Sequence, residues 1–161
     1  PEILKQLSNK VDAFCAGVGT GGTISGVGKA LRDVNKDCDI VLADPVGSIL
    51  EPKFRTGIIP DHVGSWLVEG IGEDYIPPLL DFSIISHAYA ISDKEALETC
   101  NMVLKKEGIL SGSSSGTLIA AAIKYCKEQS KPKNVVTFVC DTGNKYLKIY
   151  DKKWLIENNY N

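Results

Sequence analysis

The stretch on which the fold turns is GVGTGGTISGVGK, residues 17–29, which carries five glycines in its first ten positions. It follows an apolar run, VDAFCA (residues 11–16), of strand length and type. Beyond the glycines, Ile24, Val27, Leu31 and Val34 recur at i, i+3, i+7 and i+10, the spacing of one helical face. Residues 39–43 form a second apolar run. Strand, glycine turn, helix and strand in that order make a βαβ unit. Such a crossover requires parallel strands, with helices covering the sheet.

Working outward, residues 44–65 (DPVGSILEPKFRTGIIPDHVGS) are rich in proline and glycine and predict a long loop, a feature that is usually functional or mobile. EGIGEDYIPP, residues 69–78, is a second turn-rich segment. HAYAI predicts a strand over His87–Ile91. The S-D-K-E of Ser92 and Glu95 is a capping box opening a helix with Ala96, Cys100, Val103 and Leu104 inward, and Gly108 sits where that helix should stop. SGSSSG, residues 111–116, leads into a helix whose expected inner face is Leu118, Ile119, Ala122, Ile123 and Cys126. Residues 135–140 predict a further buried strand, and residues 151–158 a last short helix. No repeat or linker interrupts the chain. The expectation is one α/β unit over residues 1–161, a three-layer, parallel-rich sheet with helices on both faces.

Composition narrows the function. The 161 residues carry a net charge of −2, with 43% hydrophobic and 24% charged residues, as in ordinary soluble proteins. Lysines and arginines are scattered among acids, so nucleic acid and anionic membrane are not expected partners. No apolar run reaches the ~20 residues of a spanning helix. Cys15, Cys38, Cys100, Cys126 and Cys140 occur singly, which points to a reducing, cytoplasmic setting and to buried, inert thiols. His62 and His87 lie at no metal-ligand spacing to them, so no metal site is expected. The chain opens on Pro1 and passes at once into a helix-like EILKQL, as a chain entered partway through would.

Three readings of the glycine turn remain open on the residues alone. Gly17, Gly19 and Gly22 satisfy G-x-G-x-x-G between a strand and a helix, and Asp44 closes the next strand, as in a dinucleotide-binding oxidoreductase domain that takes NAD. A bare tight turn is the second reading, though each surplus glycine costs about 0.5–1 kcal/mol against alanine. The third is a cup for a phosphate monoester. Residues 19–23, GTGGT, would offer backbone N–H groups at a helix N-terminus, together with two threonine hydroxyls. Asp44 would then belong to the DPVGS turn.

GVGTGGT, ADPVGSIL, VEGIGEDYIP, EGILSGSSSG and CDTGNKYL, in that order, resemble the C-terminal half of the fold-type II (tryptophan synthase β-like) pyridoxal-phosphate enzymes. Among these the chain is most similar to the cystathionine β-synthase and cysteine synthase family, and DPVGSIL and the KKW–LIEN ending lean toward the cystathionine β-synthase branch. The resemblance runs from about Glu2 to the end. It implies that Gly19, Thr20, Gly21, Gly22 and Thr23 hold the phosphate of pyridoxal 5′-phosphate and that Ser114 meets the pyridine nitrogen. Gly70, Ile71 and Gly72 would pass beside the cofactor ring and substrate. Asp141 and Thr142 would lie near the pyridine end, although an exposed strand-end turn suits them as well. Ser113 and Ser115 would shape the backbone around Ser114. Where the cystathionine-forming branch often carries tyrosine, Glu73 stands here, which leaves the second substrate undecided.

The implied reaction is β-replacement. Serine or an activated serine loses its α-proton and β-substituent, and a thiol, homocysteine or sulfide, adds. A hydroxyl at the ring nitrogen, where other enzymes place a carboxylate, would keep that nitrogen near neutral and favour β-elimination. The implied substrates are small amino acids and the implied assembly is a homodimer. The family's Schiff-base lysine belongs to an N-terminal half whose motifs this chain does not contain. Neither Lys29 nor Lys145 fits that role, so residues 1–161 alone are expected to lack the catalytic lysine and to be inactive.

Overall fold

The protein is described here by a computed structural model, covering residues 1–160. In chain order it contains α1 (Glu2–Gln6), β1 (Ala13–Ala16), α2 (Gly22–Val34), β2 (Asp39–Pro45), α3 (Leu50–Thr56), β3 (His87–Ile91), α4 (Asp93–Glu107), α5 (Ser113–Lys127), β4 (Val135–Val136) and α6 (Lys152–Glu157). The four strands form one parallel sheet in the order β3-β2-β1-β4, with Ala13 opposite Asp39 and Val135, and Val41 opposite His87. The expected βαβ unit is therefore present as β1-α2-β2.

Strand alternation divides the core in two. Phe14, Ala16, Ile40 and Leu42 face one side, where Ile24 and Leu31 of α2 and Leu50 of α3 cover them. Ala13, Cys15, Val41 and Ala43 face the other, beneath Ala96 of α4 and Leu118, Ala121 and Tyr125 of α5. A sheet buried on both faces needs continuous apolar strands, which is why its strands read as unbroken apolar runs. This is the three-layer α/β architecture that the sequence predicts. A smaller cluster of Leu97, Cys100 and Ile149, with Tyr150, Trp154, Leu155 and Tyr160 against it, seats the C-terminal segment on α4.

Five expectations are corrected. The loop at 44–65 contains α3. Buried Asp44 accepts a hydrogen bond from Glu51 N at 2.8 Å, a cap supplied from across the turn that local periodicity cannot reveal. The last strand stops at Val136: although β1 runs on to Ala16, Cys15 O accepts from the Thr137 hydroxyl at 3.0 Å and the ladder ends there, leaving residues 137–140 half-buried or exposed. Helix α5 is rotated so that Ala121, Ala122 and Tyr125 point inward with Leu118, while Cys126 is exposed. Small residues on that face let α5 approach α4 closely, and a Cβ on Gly116 would lie 2.2 Å from Ala96 O. Cys140 is exposed as well, so only Cys15, Cys38 and Cys100 behave as buried thiols. In α2, Gly28 rather than a large side chain fills the inner stripe between Ile24 and Leu31, and Val34 is 49% exposed. The capping box of α4 forms as predicted, with Gly108 ending the helix at φ 70°. Among the described residues no helix is long and apolar enough to cross a membrane, and no cluster of His, Cys, Asp or Glu could hold a metal ion.

Candidate cofactor site

The glycine turn leaves the carboxyl end of β1 and enters α2. Gly21 is the N-cap, at φ 83°, and a Cβ there would fall 2.6 Å from Leu80 N, so conformation and space both demand glycine. A glycine cap brings no side-chain acceptor, and α2 has no side-chain capping bond. Its first-turn N–H groups, which lack intrahelical partners, are thus presented at the positive end of the helix dipole. Thr20 Oγ1 makes a long contact of 3.4 Å with Gly22 N.

The EGIG segment is fastened beside this turn from three directions. Gly72 N donates to Val18 O at 2.9 Å, Trp66 Nε1 donates to Ile71 O at 3.1 Å, and Ser48 Oγ accepts from Glu73 N at 3.0 Å. Approach to the glycine turn is close, for a Cβ on Gly19 would lie 2.9 Å from Gly70 O. Burial, and then the neighbouring Asp74, raise the pKa of Glu73. Its carboxylate reaches to 4.0 Å from that same built Cβ.

The serine turn completes the wall. Ser113 Oγ accepts from Glu69 N at 3.3 Å and Ser115 Oγ from Cys140 N at 2.9 Å, so these two serines bind their neighbours' backbones while Ser114 lies between them. Asp141 is tied in by Gly112 N, which donates to Asp141 O, and by Tyr146, whose hydroxyl donates to Oδ2 at 2.9 Å. That bond, followed by burial, raises the Tyr146 pKa. The other carboxylate oxygen, Asp141 Oδ1, is buried without a partner.

These three segments enclose a cavity of about 800 Å³. It opens at the carboxyl ends of the parallel strands, where open α/β sheets bind ligands. Of the residues singled out from the sequence, Gly19, Thr20, Thr23, Gly70, Ile71, Ser114 and Asp141 line it together. Gly21 and Gly22 do not; they form the cap and first residue of α2 behind it. Gly72 also lies outside, at φ 88° with Pro45 and Trp66 packed where its Cβ would be, and it shapes the EGIG loop. Glu69, Cys140 and Tyr146, which no local sequence signal singles out, line the cavity as well. They sit in chain next to recognised motifs, but only the fold turns them inward. Asp44, the acid that suggested a dinucleotide ribose, is 0% exposed and engaged in capping α3, so it is not available to a ligand.

The chemistry of this lining fits a pyridoxal phosphate group. Among the described residues no lysine or arginine lines the cavity, so a phosphate would be held by neutral N–H and hydroxyl donors at a helix N-terminus. The volume is that of a small-molecule site. One lining residue, Asp141, keeps a carboxylate oxygen buried without a partner, packed against Gly112 at the start of the serine turn.

The profile of the family described as pyridoxal-phosphate dependent enzyme matches residues 1–141. The chain belongs to this family. Its cofactor is pyridoxal 5′-phosphate. Among curated relatives, the chain is 39% identical to cystathionine beta-synthase of Apis mellifera, over 96% of this chain and 30% of that protein. It is 40% identical to cysteine synthase of Buchnera aphidicola, over 99% of this chain and 51% of that one. In three dimensions it resembles the crystal structure of O-acetylserine dependent cystathionine beta-synthase from Helicobacter pylori. The TM-score is 0.81 at 34% identity, covering 91% of this chain and 45% of the other. The chain thus spans from under a third to about half the length of these relatives.

Proposed function

We propose that this chain supplies the phosphate and ring-nitrogen side of a pyridoxal-phosphate-dependent β-replacement enzyme that makes cystathionine from L-serine and L-homocysteine. The observation that carries the reading is the convergence of the uncapped N-terminus of α2 and Ser114 on one cavity. The N–H groups of residues 20–23 and the hydroxyls of Thr20 and Thr23 hold the phosphate, and Ser114 faces the ring nitrogen. Being neutral, the Ser114 hydroxyl leaves that nitrogen without a full countercharge. Gly70 and Ile71 lie alongside the ring, where the missing side chain of Gly70 admits the amino-acid substrate. When bound, the cofactor supplies the electron sink for loss of the α-proton and β-substituent.

The anchoring lysine comes from another part of the same protein. Lys29 is paired with Asp81 at 2.9 Å, Lys145 is exposed, and neither lines the cavity. By itself the chain is inactive and forms no lysine-bound cofactor. We further assign the intact protein to the cytoplasm as a homodimer.

A second reading, cysteine synthase, is supported by relatives of that name at 40–41% identity, as high as those named cystathionine beta-synthase. The O-acetylserine dependence named for the Helicobacter pylori structure extends the choice to the donor. Steady-state assays of the intact protein decide. Turnover of serine with homocysteine supports the first reading, and turnover of O-acetylserine with sulfide alone supports the second. No pyridoxal-phosphate-dependent β-replacement with any pair would defeat both.

A further inference from the structure

A second cavity, of about 660 Å³, lies on the far side of α4, between that helix and the C-terminal segment. Its floor is mainly apolar, with Met102, Leu155 and Tyr150 beside Asn101, whose amide is already committed to Leu97 O and Ile149 O, and its exposed rim carries Lys105, Lys106 and Lys152. Among the described residues none of these three lysines makes an ion pair. The one acid at the rim, Glu98, is 3.9 Å from Lys94. The cavity therefore combines an apolar interior with uncompensated positive charge. The volume suits a small molecule.

We propose that this cavity is a binding site for a small anionic amphipath, a molecule with an apolar body and a carboxylate-type head, and that its occupancy stiffens the serine turn of the cofactor site. The mechanical link is Tyr150. Its ring forms part of the floor, while its hydroxyl accepts from Ser111 N at 3.0 Å and donates to Ser111 O at 2.5 Å. Ser111 in turn pairs with Thr142 and lies two residues before Ser113, which holds Glu69 of the other cavity. A body packed on the Tyr150 ring restrains that hydroxyl and with it the start of α5. This site does not depend on the reaction proposed above, since neither its lining nor its link requires the cofactor.

Octanoate serves as the probe and octanol as its uncharged counterpart. The chain has two tryptophans, and Trp154 stacks on the lining residue Tyr160 with ring centroids 5.8 Å apart. In a Trp66→Phe background, octanoate is expected to shift Trp154 emission saturably. Calorimetric titration of the unaltered chain should rank the ligands identically. Replacing Lys105, Lys106 and Lys152 together by Gln should weaken octanoate about tenfold, the sum of three exposed ion pairs, and leave octanol unchanged. High salt should weaken octanoate on the unaltered chain in the same direction, a test that needs no variant. Saturating octanoate should slow amide exchange at residues 111–115, and Tyr150→Phe should abolish that slowing while retaining binding. An absent saturable response, equal affinities for octanoate and octanol, or undiminished octanoate affinity in high salt or in the lysine variant would overturn the site. Unchanged exchange at residues 111–115 in the octanoate-bound chain would overturn the link.

Discussion

Replacing Gly116 by alanine sets two physical effects against each other. Gly116 lies within α5, and in a helix interior Gly→Ala is worth about 1 kcal/mol of stabilisation. The added Cβ, however, would lie 2.2 Å from Ala96 O and 2.5 Å from Cys100 Sγ, both on the facing helix α4. Carbon–oxygen contacts settle near 3.3 Å, so α4 and α5 must part by about 1 Å. Overpacking a close-packed interface costs about 1–3 kcal/mol, and a backbone carbonyl that cannot rotate away places this site at the upper end. The balance is about 2 kcal/mol of destabilisation, or about 4–8 °C in Tm for a chain of this size. Gly26 is the control, an exposed residue of α2 with nothing within 4 Å of its built Cβ. Gly26→Ala should stabilise by about 1 kcal/mol. Thermal and urea unfolding of both variants measure the effect. A Gly116→Ala protein as stable as the parent or more so would refute the close helix approach.

Burial, the largest influence, pushes the Asp44 carboxyl up to about 6, against the hydrogen bonds from Glu51 N and Ser48. The folded state then holds a proton that the unfolded chain has released. The stability this contributes is present below the unfolded value of 3.8 and is lost as pH rises through about 6, to the extent of about 3 kcal/mol. Asp44→Asn keeps an acceptor for Glu51 N and should flatten stability against pH across that interval; an unchanged slope contradicts the assignment. Ser92→Ala removes the hydroxyl that caps Glu95 N at 3.3 Å and should cost about 1 kcal/mol by urea titration. Inorganic phosphate should shift the amide resonances of residues 20–24 and leave those of residues 35–38 in place. In Gly21→Ala, where the left-handed cap is lost, the shifts should disappear. Shifts spread evenly over the surface would count against the phosphate cup.

Much of this protein is legible without coordinates. The βαβ unit follows from apolar runs of strand length on either side of a helical period. The capping box of Ser92 and Glu95 and the stop at Gly108 are local chemistry, readable because their partners are three or four residues apart. The glycine turn is legible as a strand-to-helix turn, and among a dinucleotide turn, a bare turn and a phosphate cup only the resemblance across five motifs favours the last. What the sequence left undecided were features whose causes lie far away in the chain. Helix α3 is capped by Asp44 from the end of a strand, and β4 ends where the Thr137 hydroxyl binds Cys15 O across from it in β1. The rotation of α5 is set by how closely Gly116 lets it approach α4. Only the tertiary structure assembled Gly19, Ser114 and Asp141 around one cavity, turned Cys140, Glu69 and Tyr146 into it, and moved Gly72 out to support the loop. The physical reason is range: hydrogen-bond periodicity and capping act within a few residues and are written in local order, whereas a binding cavity is a property of chain segments ninety residues apart that packing alone brings into register.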